Sequence, residues 1–168
     1  MRPARIFATA TPFACALTAD IFTKIWANNA LLQGRSVPFI PSFLQLSLTR
    51  NTGIAFGIGQ GHAVVTTAIG CTIFLAILAW IIWRERGAQK LSGLELSGAG
   101  FILGGALGNI FDRVCHGEVT DFLEFVFVSF PVFNVADVMI DVGAGLVIIS
   151  SFMIPACRKV EPHSAGNS

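Results

Sequence analysis

Four stretches of this chain stay apolar for about 20 residues each, the length an α-helix needs to cross a hydrocarbon core. They run approximately over residues 6–27, 62–83, 91–111 and 134–156. With 54% apolar and 12% charged residues and a mean hydropathy of +0.71, the composition excludes an ordinary soluble domain. The expected fold is an all-α membrane protein with four transmembrane helices, forming a single integral membrane domain over residues 1–168.

Charge orients these spans. Arg2 and Arg5 precede the first, Arg84, Arg86 and Lys90 lie between the second and third, and Arg158 and Lys159 follow the last, so seven of the 11 Lys/Arg residues fall on one side. The positive-inside rule then makes the termini and residues 84–90 cytoplasmic, and residues 28–61 and 112–133 external. The first span also has the basic start and small residues of a cleaved signal peptide. Against cleavage, Asp20 and Lys24 stand four apart, in the order that favours an ion pair on one helix face.

The external segments carry structure of their own. Leu44-Gln45-Leu46-Ser47-Leu48-Thr49 alternates apolar and polar residues as a half-exposed strand does. Pro38 and Pro41 fence it off upstream, and the glycines after Asn51 fit a turn and a return strand. A small β element on the membrane surface is expected here. Phe122 to Phe133 is apolar but too short to span, and reads as an interfacial stretch against the headgroups. In the third span, Gly100, Gly104 and Gly108, with Ser97 on nearly the same face, form a stripe that lets helix backbones approach.

A net charge of +1 and the absence of a large basic cluster exclude nucleic acid as a partner. Cys15, Cys71, Cys115 and Cys157 are widely scattered, without histidines at metal-ligand spacing, so neither a metal nor another cofactor is expected. Cys115 beside His116 is the one thiol with a nucleophilic alternative, although adjacent residues rarely face each other.

The chemistry lies in carboxylates. An Asp at the centre of a bilayer helix costs roughly 2.5–3.5 kcal/mol on insertion scales, so such residues face a packed interior or a polar cavity. Asn109, Asp112 and Arg113 end the third span, Asp121 follows it, and Asn134, Asp137 and Asp141 fall on one face of the fourth. Helix caps and one ion pair to Arg113 account for some of these groups. The remaining acids suit a pair sharing one proton, one acting as base and one as acid towards a peptide bond. A proton- or ion-coupled carrier and a structural subunit remain open on the residue types alone, although the cytoplasmic halves of the third and fourth spans offer few polar groups for a carrier path.

Three motifs go further. Asn51-x-Gly53-x-Ala55-Phe56, Gly108-Asn109-x-x-Asp112-Arg113-x-x-x-Gly117-x-Val119-x-Asp121-Phe122, and Phe133-Asn134-x-Ala136-Asp137-x-x-Ile140-x-x-Gly143 together resemble the lipoprotein signal peptidase family, the bacterial signal peptidase II. The resemblance covers nearly the whole chain, including Asp20-x-x-x-Lys24. It implies an aspartic endopeptidase of the inner membrane, which works among membrane lipids and removes signal peptides from diacylglyceryl-modified prolipoproteins by cutting before the lipidated cysteine; a monomer is expected. By motif position, Asp121 and Asp137 would be the catalytic dyad. Asn51, Gly53, Asn109, Asp112, Arg113, Asn134 and Ala136 would shape the site and hold the substrate, with Asp20 and Lys24 in support. Asp141 occupies a variable position of the motif, where pairing with Lys24 or Arg113, or repulsion of Asp137, is the expectation.

Overall fold

The computed structural model describes residues 3–53, 59–88 and 90–153. Arg2, Cys157, Arg158 and Lys159, the Ala55-Phe56 pair and the last residues of the fourth expected span lie outside them.

Four helices, α1 (Pro3–Ala30), α2 (Ala63–Arg86), α3 (Gly93–His116) and α4 (Val135–Met153), are each long and apolar enough to cross a membrane. Three strands, β1 (Ser36–Ile40), β2 (Leu44–Asn51) and β3 (Val119–Phe125), form one antiparallel sheet in the order β1-β2-β3. The expectation of four spanning helices with a small β element is met.

Local chemistry sets the ends. Ser92 and Glu95 form a reciprocal capping box at the start of α3, and Gly117 ends that helix in the left-handed conformation at φ 76°. Asn134 and Asp137 repeat the box at α4: the Asp137 amide donates to Asn134 Oδ1 and the Asn134 amide to Asp137 Oδ2, both at 3.1 Å. Because α3 continues to His116, more than one turn beyond the expected end of that span, Asp112 and Arg113 stand inside the helix.

Glycine determines how α3 packs, and on two faces. A Cβ at Gly100 or Gly104 would meet the backbone of α1 at Thr9 or Phe13, whereas one at Gly98 or Gly105 would meet the backbone of α4 at Gly143 or Ala136. The spacing-four stripe is therefore the α1 face, where Ser97 also donates to Ala8 O at 3.2 Å. The α4 face uses Gly98 and Gly105, seven apart. With no hydrophobic force between helices in lipid, such close backbone contact is what holds them.

The expected return strand after Asn51 falls largely on residues 54–58, outside the described residues. The partners of β2 are β1 upstream and β3 from the second external segment, with Asn51 opposite Val119 and Thr49 opposite Asp121. Pro38 lies within β1 rather than before the sheet; it is tolerated because β1 is an edge strand with a register shift between Pro38 and Ile40. The stretch read as interfacial begins as strand β3, then returns so that Leu123 exchanges two backbone hydrogen bonds with Phe133. Around that return Phe43, Phe125, Phe127, Phe130 and Phe133 pack with ring centroids 4.9–5.9 Å apart. Leu46 and Phe122 dock the sheet onto Ala27 and Leu31 at the end of α1.

The opposite end of the bundle is latched. Arg5 pairs with Glu85 and donates to Leu91 O at 2.6 Å, and Ser92 meets Ser150 across α3 and α4 at 2.6 Å.

Candidate active site

The sheet end of the bundle contains a cavity of about 590 Å³ between α2, α3, α4 and the β3 return. Its wall is mostly aliphatic and aromatic, with Asn51, Asn109, Arg113, Asp121, Asn134, Asp137 and Asp141 as its polar groups.

Asp121 reaches the cavity from β3, almost fully buried. It accepts from Asn51 Nδ2 at 2.9 Å and from Asn134 Nδ2 at 2.6 Å. Asp137, in the first turn of α4, accepts from Asn109 Nδ2 at 2.9 Å and from the Asn134 amide. Asn134 thus touches both carboxylates, one through its side chain and one through its backbone. An ionised carboxylate has about four acceptor sites, so each acid keeps capacity towards the cavity.

A second layer holds these donors in place. Lys24, buried in α1, lies 2.8 Å from Asp20 Oδ2 and 3.3 Å from Asp112 Oδ2, and donates to Asn109 Oδ1 at 2.8 Å. Asn134 also donates to that oxygen at 3.1 Å. With its oxygen engaged twice, the Asn109 side chain must turn its NH₂ to Asp137. Asp20 accepts from the Ala136 amide at 3.0 Å, in the first turn of α4 where the helix dipole favours an anion, and Gly108 leaves no Cβ against its carboxylate. Asp112 accepts from the Thr120 amide at 3.0 Å, which fixes the start of β3 just before Asp121. Asn51 is set by the Gly53 amide at 2.9 Å, and Arg113 Nη2 donates to Gly53 O at 2.7 Å.

All eleven site residues singled out in the sequence therefore belong to one connected network. The expected ion pair from Arg113 is absent among the described residues: its guanidinium goes to the carbonyls of Gly53 and Asn109, and its Nε is buried without a hydrogen bond. Lys24, contributed by α1, is the cation the acidic cluster needs. Asp141 lines the cavity but is exposed, with no ion pair to Lys24 or Arg113. His116 Nδ1 lies 3.7 Å from Asp112 and is not engaged with Cys115. No group of three metal-binding side chains occurs among the described residues.

Burial pushes the Asp121 carboxyl up to about 6 from its ordinary 3.8. The hydrogen bonds from Asn51 and Asn134 oppose that rise, and the nearby charge of Asp137 adds to it. A carboxyl raised this far exchanges its proton around pH 6. Beside a second carboxylate, that is the arrangement for moving a proton to one atom while taking it from another.

Gly70 and Ile73 of α2 and Ile102 of α3, which also line the cavity, were not singled out in the sequence. An aliphatic residue facing a cavity reads the same as one facing lipid, so nothing marked them. Gly105 did carry a signal, in its spacing of seven from Gly98.

The comparisons agree with this architecture. The family model for signal peptidase (SPase) II matches residues 13–153. A lipoprotein signal peptidase of Brevibacillus brevis is 38% identical over 137 residues, covering 82% of this chain and 89% of its own. One of Serratia proteamaculans is 38% identical over 150 residues, covering 86% of each chain. A bacterial membrane enzyme solved by the in meso method at 2.3 Å resolution superposes with a TM-score of 0.81 at 29% identity, over 93% of this chain and 94% of that one. A family match across most of the length, carried by the same helices and strands that build the cavity, makes this chain a member of the signal peptidase II family.

Proposed function

We propose that this protein is an aspartic endopeptidase that removes signal peptides from diacylglyceryl-modified prolipoproteins, cutting before the lipidated cysteine, with Asp121 and Asp137 as its catalytic dyad. The observation that carries the reading is that these two carboxylates open onto one cavity through a shared partner, Asn134. Lys24 stands behind them on Asp20 and Asp112, with no ion pair to the dyad itself. The names of the relatives supply the substrate class.

In this mechanism the ionised member of the dyad takes a proton from a water. The protonated member donates to the scissile carbonyl as the water attacks, and the pair returns a proton to the leaving amine. Arg113 and Asn51 at the cavity rim hold the substrate backbone. The phenylalanines of the β3 return exclude surplus water, which strengthens every charge interaction inside.

Both termini and residues 84–90 are assigned to the cytoplasm of a bacterial inner membrane, with the sheet and the dyad outside. A lipid-tethered substrate diffusing in the membrane plane then brings its scissile bond to the depth of the dyad. The protein acts as a monomer, as one chain supplies every residue named. The carrier reading has less support, because the polar network stops at the sheet end and the other end is closed by Arg5–Glu85 and Ser92–Ser150.

The test is cleavage of a diacylglyceryl-modified prolipoprotein by purified protein in detergent, alongside Asp121→Asn, Asp137→Asn and an unlipidated substrate. Cleavage before the lipidated cysteine that both variants lose is the expected result. No cleavage by folded parent protein overturns the proposal.

A further inference from the structure

One carboxylate of the cavity takes no part in the network just described. Asp141 stands four residues after Asp137 on α4, which places it one turn, about 6 Å along the axis, farther from the sheet. Val138 and Val142, its neighbours on that face, are exposed and line the same cavity. Asp141 is itself exposed there and has no ion pair among the described residues.

Asp141 stands beside Val138, Ile140 and Val142 of the lining, and once a bound peptide displaces water from that wall its carboxyl is costly unless a donor meets it. The other acids of the bundle all have donors: Asp20 and Asp112 share Lys24, and Asp121 and Asp137 share Asn134. The unmet need at Asp141 is open to the cavity, so a ligand can supply the donor. Acyl chains offer none. A peptide bound with its scissile bond at the dyad does, because its signal-peptide side continues towards the membrane interior, along α4. At about 3.3 Å per residue, an extended chain reaches the level of Asp141 two or three residues before the cut.

We infer that Asp141 is a specificity-determining residue of this cleft, accepting a hydrogen bond from a hydroxyl side chain on the second or third residue before the scissile bond. The inference rests on the peptidase reading above. It gives the deeper wall of the cavity a polar contact that discriminates between substrates alike in their lipid and cysteine.

The experiment compares lipidated peptides that differ only in having Ser or Ala at the second or at the third position before the cysteine, each with the full-length protein in detergent. For the parent, kcat/KM is expected to favour Ser by about tenfold at one of the two positions, the size of one hydrogen bond to a charged acceptor. Asp141→Ala should bring that ratio to about one, and Asp141→Asn, which keeps an acceptor oxygen, should retain part of it. Because both peptides are read on the same preparation, partial unfolding of a variant cancels in the ratio. No Ser preference in the parent at either position, or an undiminished preference in Asp141→Ala, overturns the inference while the peptidase reading stands. Failure of the parent to cut any lipidated peptide removes both.

Discussion

Lys24 is only 4% exposed and faces three oxygens, from Asp20, Asp112 and Asn109. Removing one partner of a buried ion pair leaves uncompensated charge and costs about 3–5 kcal/mol. Lys24→Met should therefore lower the unfolding temperature sharply in detergent, and it should also free Asn109 to turn its oxygen towards Asp137. An unfolding transition that stays within a degree or two of the parent would show that the lysine carries no such load. At the proposed dyad, Asp121→Asn and Asp137→Asn should each lower the cleavage rate by about 10²–10⁴, the worth of one proton-transfer group. Asp121 also has a stability signature. Its folded pKa of about 6 lies above the ordinary 3.8, so the stability it adds is complete below 3.8 and is lost as pH rises through 6. The shift corresponds to no more than about 3 kcal/mol. Thermal unfolding of the parent should weaken between about pH 4 and pH 7, and Asp121→Asn should flatten that slope; a parallel slope in both proteins would contradict the assignment.

At the scale of elements, the glycines of α3 separate packing from mere composition. A Cβ at Gly98 would come within 2.6 Å of Gly143 O, whereas one at Gly145 meets nothing within 4 Å. Gly98→Ala should cost about 1–3 kcal/mol by forcing α3 and α4 apart. Gly145→Ala should be neutral or slightly stabilising through helix propensity. Unfolding temperatures of the two variants side by side decide the matter, and equal values would remove the close helix contact from the account. The helices were legible because hydropathy and length are properties of a single segment. The candidate site's polar network was legible because its residues sit in compact motifs at the ends of spans. The sheet was only half legible. The alternation of Leu44 to Thr49 marks β2, but its partner β3 comes from a segment some 70 residues away, where Phe-rich composition masks strand period. Pro38 pointed to a boundary because an edge position, which makes proline harmless, is known only once the sheet exists. The ion pair expected from Arg113 went wrong for a related reason, since the cation that neutralises the cluster lies on another helix.

For the whole molecule, the orientation can be read with a thiol the chain already has. Cys115 is exposed near the sheet end of α3, whereas Cys15 and Cys71 lie within spans. In a Cys157→Ser background, a membrane-impermeant thiol reagent should label Cys115 in intact spheroplasts. Labelling that requires permeabilisation would invert the topology. The pair Asp20–Lys24 also bears on how the protein enters its membrane. Asn109 follows Lys24 by 85 residues, so at about 5–20 residues per second α1 waits roughly 4–17 s before its later partners are synthesised. Throughout that interval the acid and the base, one turn apart, have only each other. Their contact lets that stretch of α1 cross without net charge, and the lysine recruited at birth to cancel a neighbour's charge later becomes the post to which α3 is tied through Asp112 and Asn109.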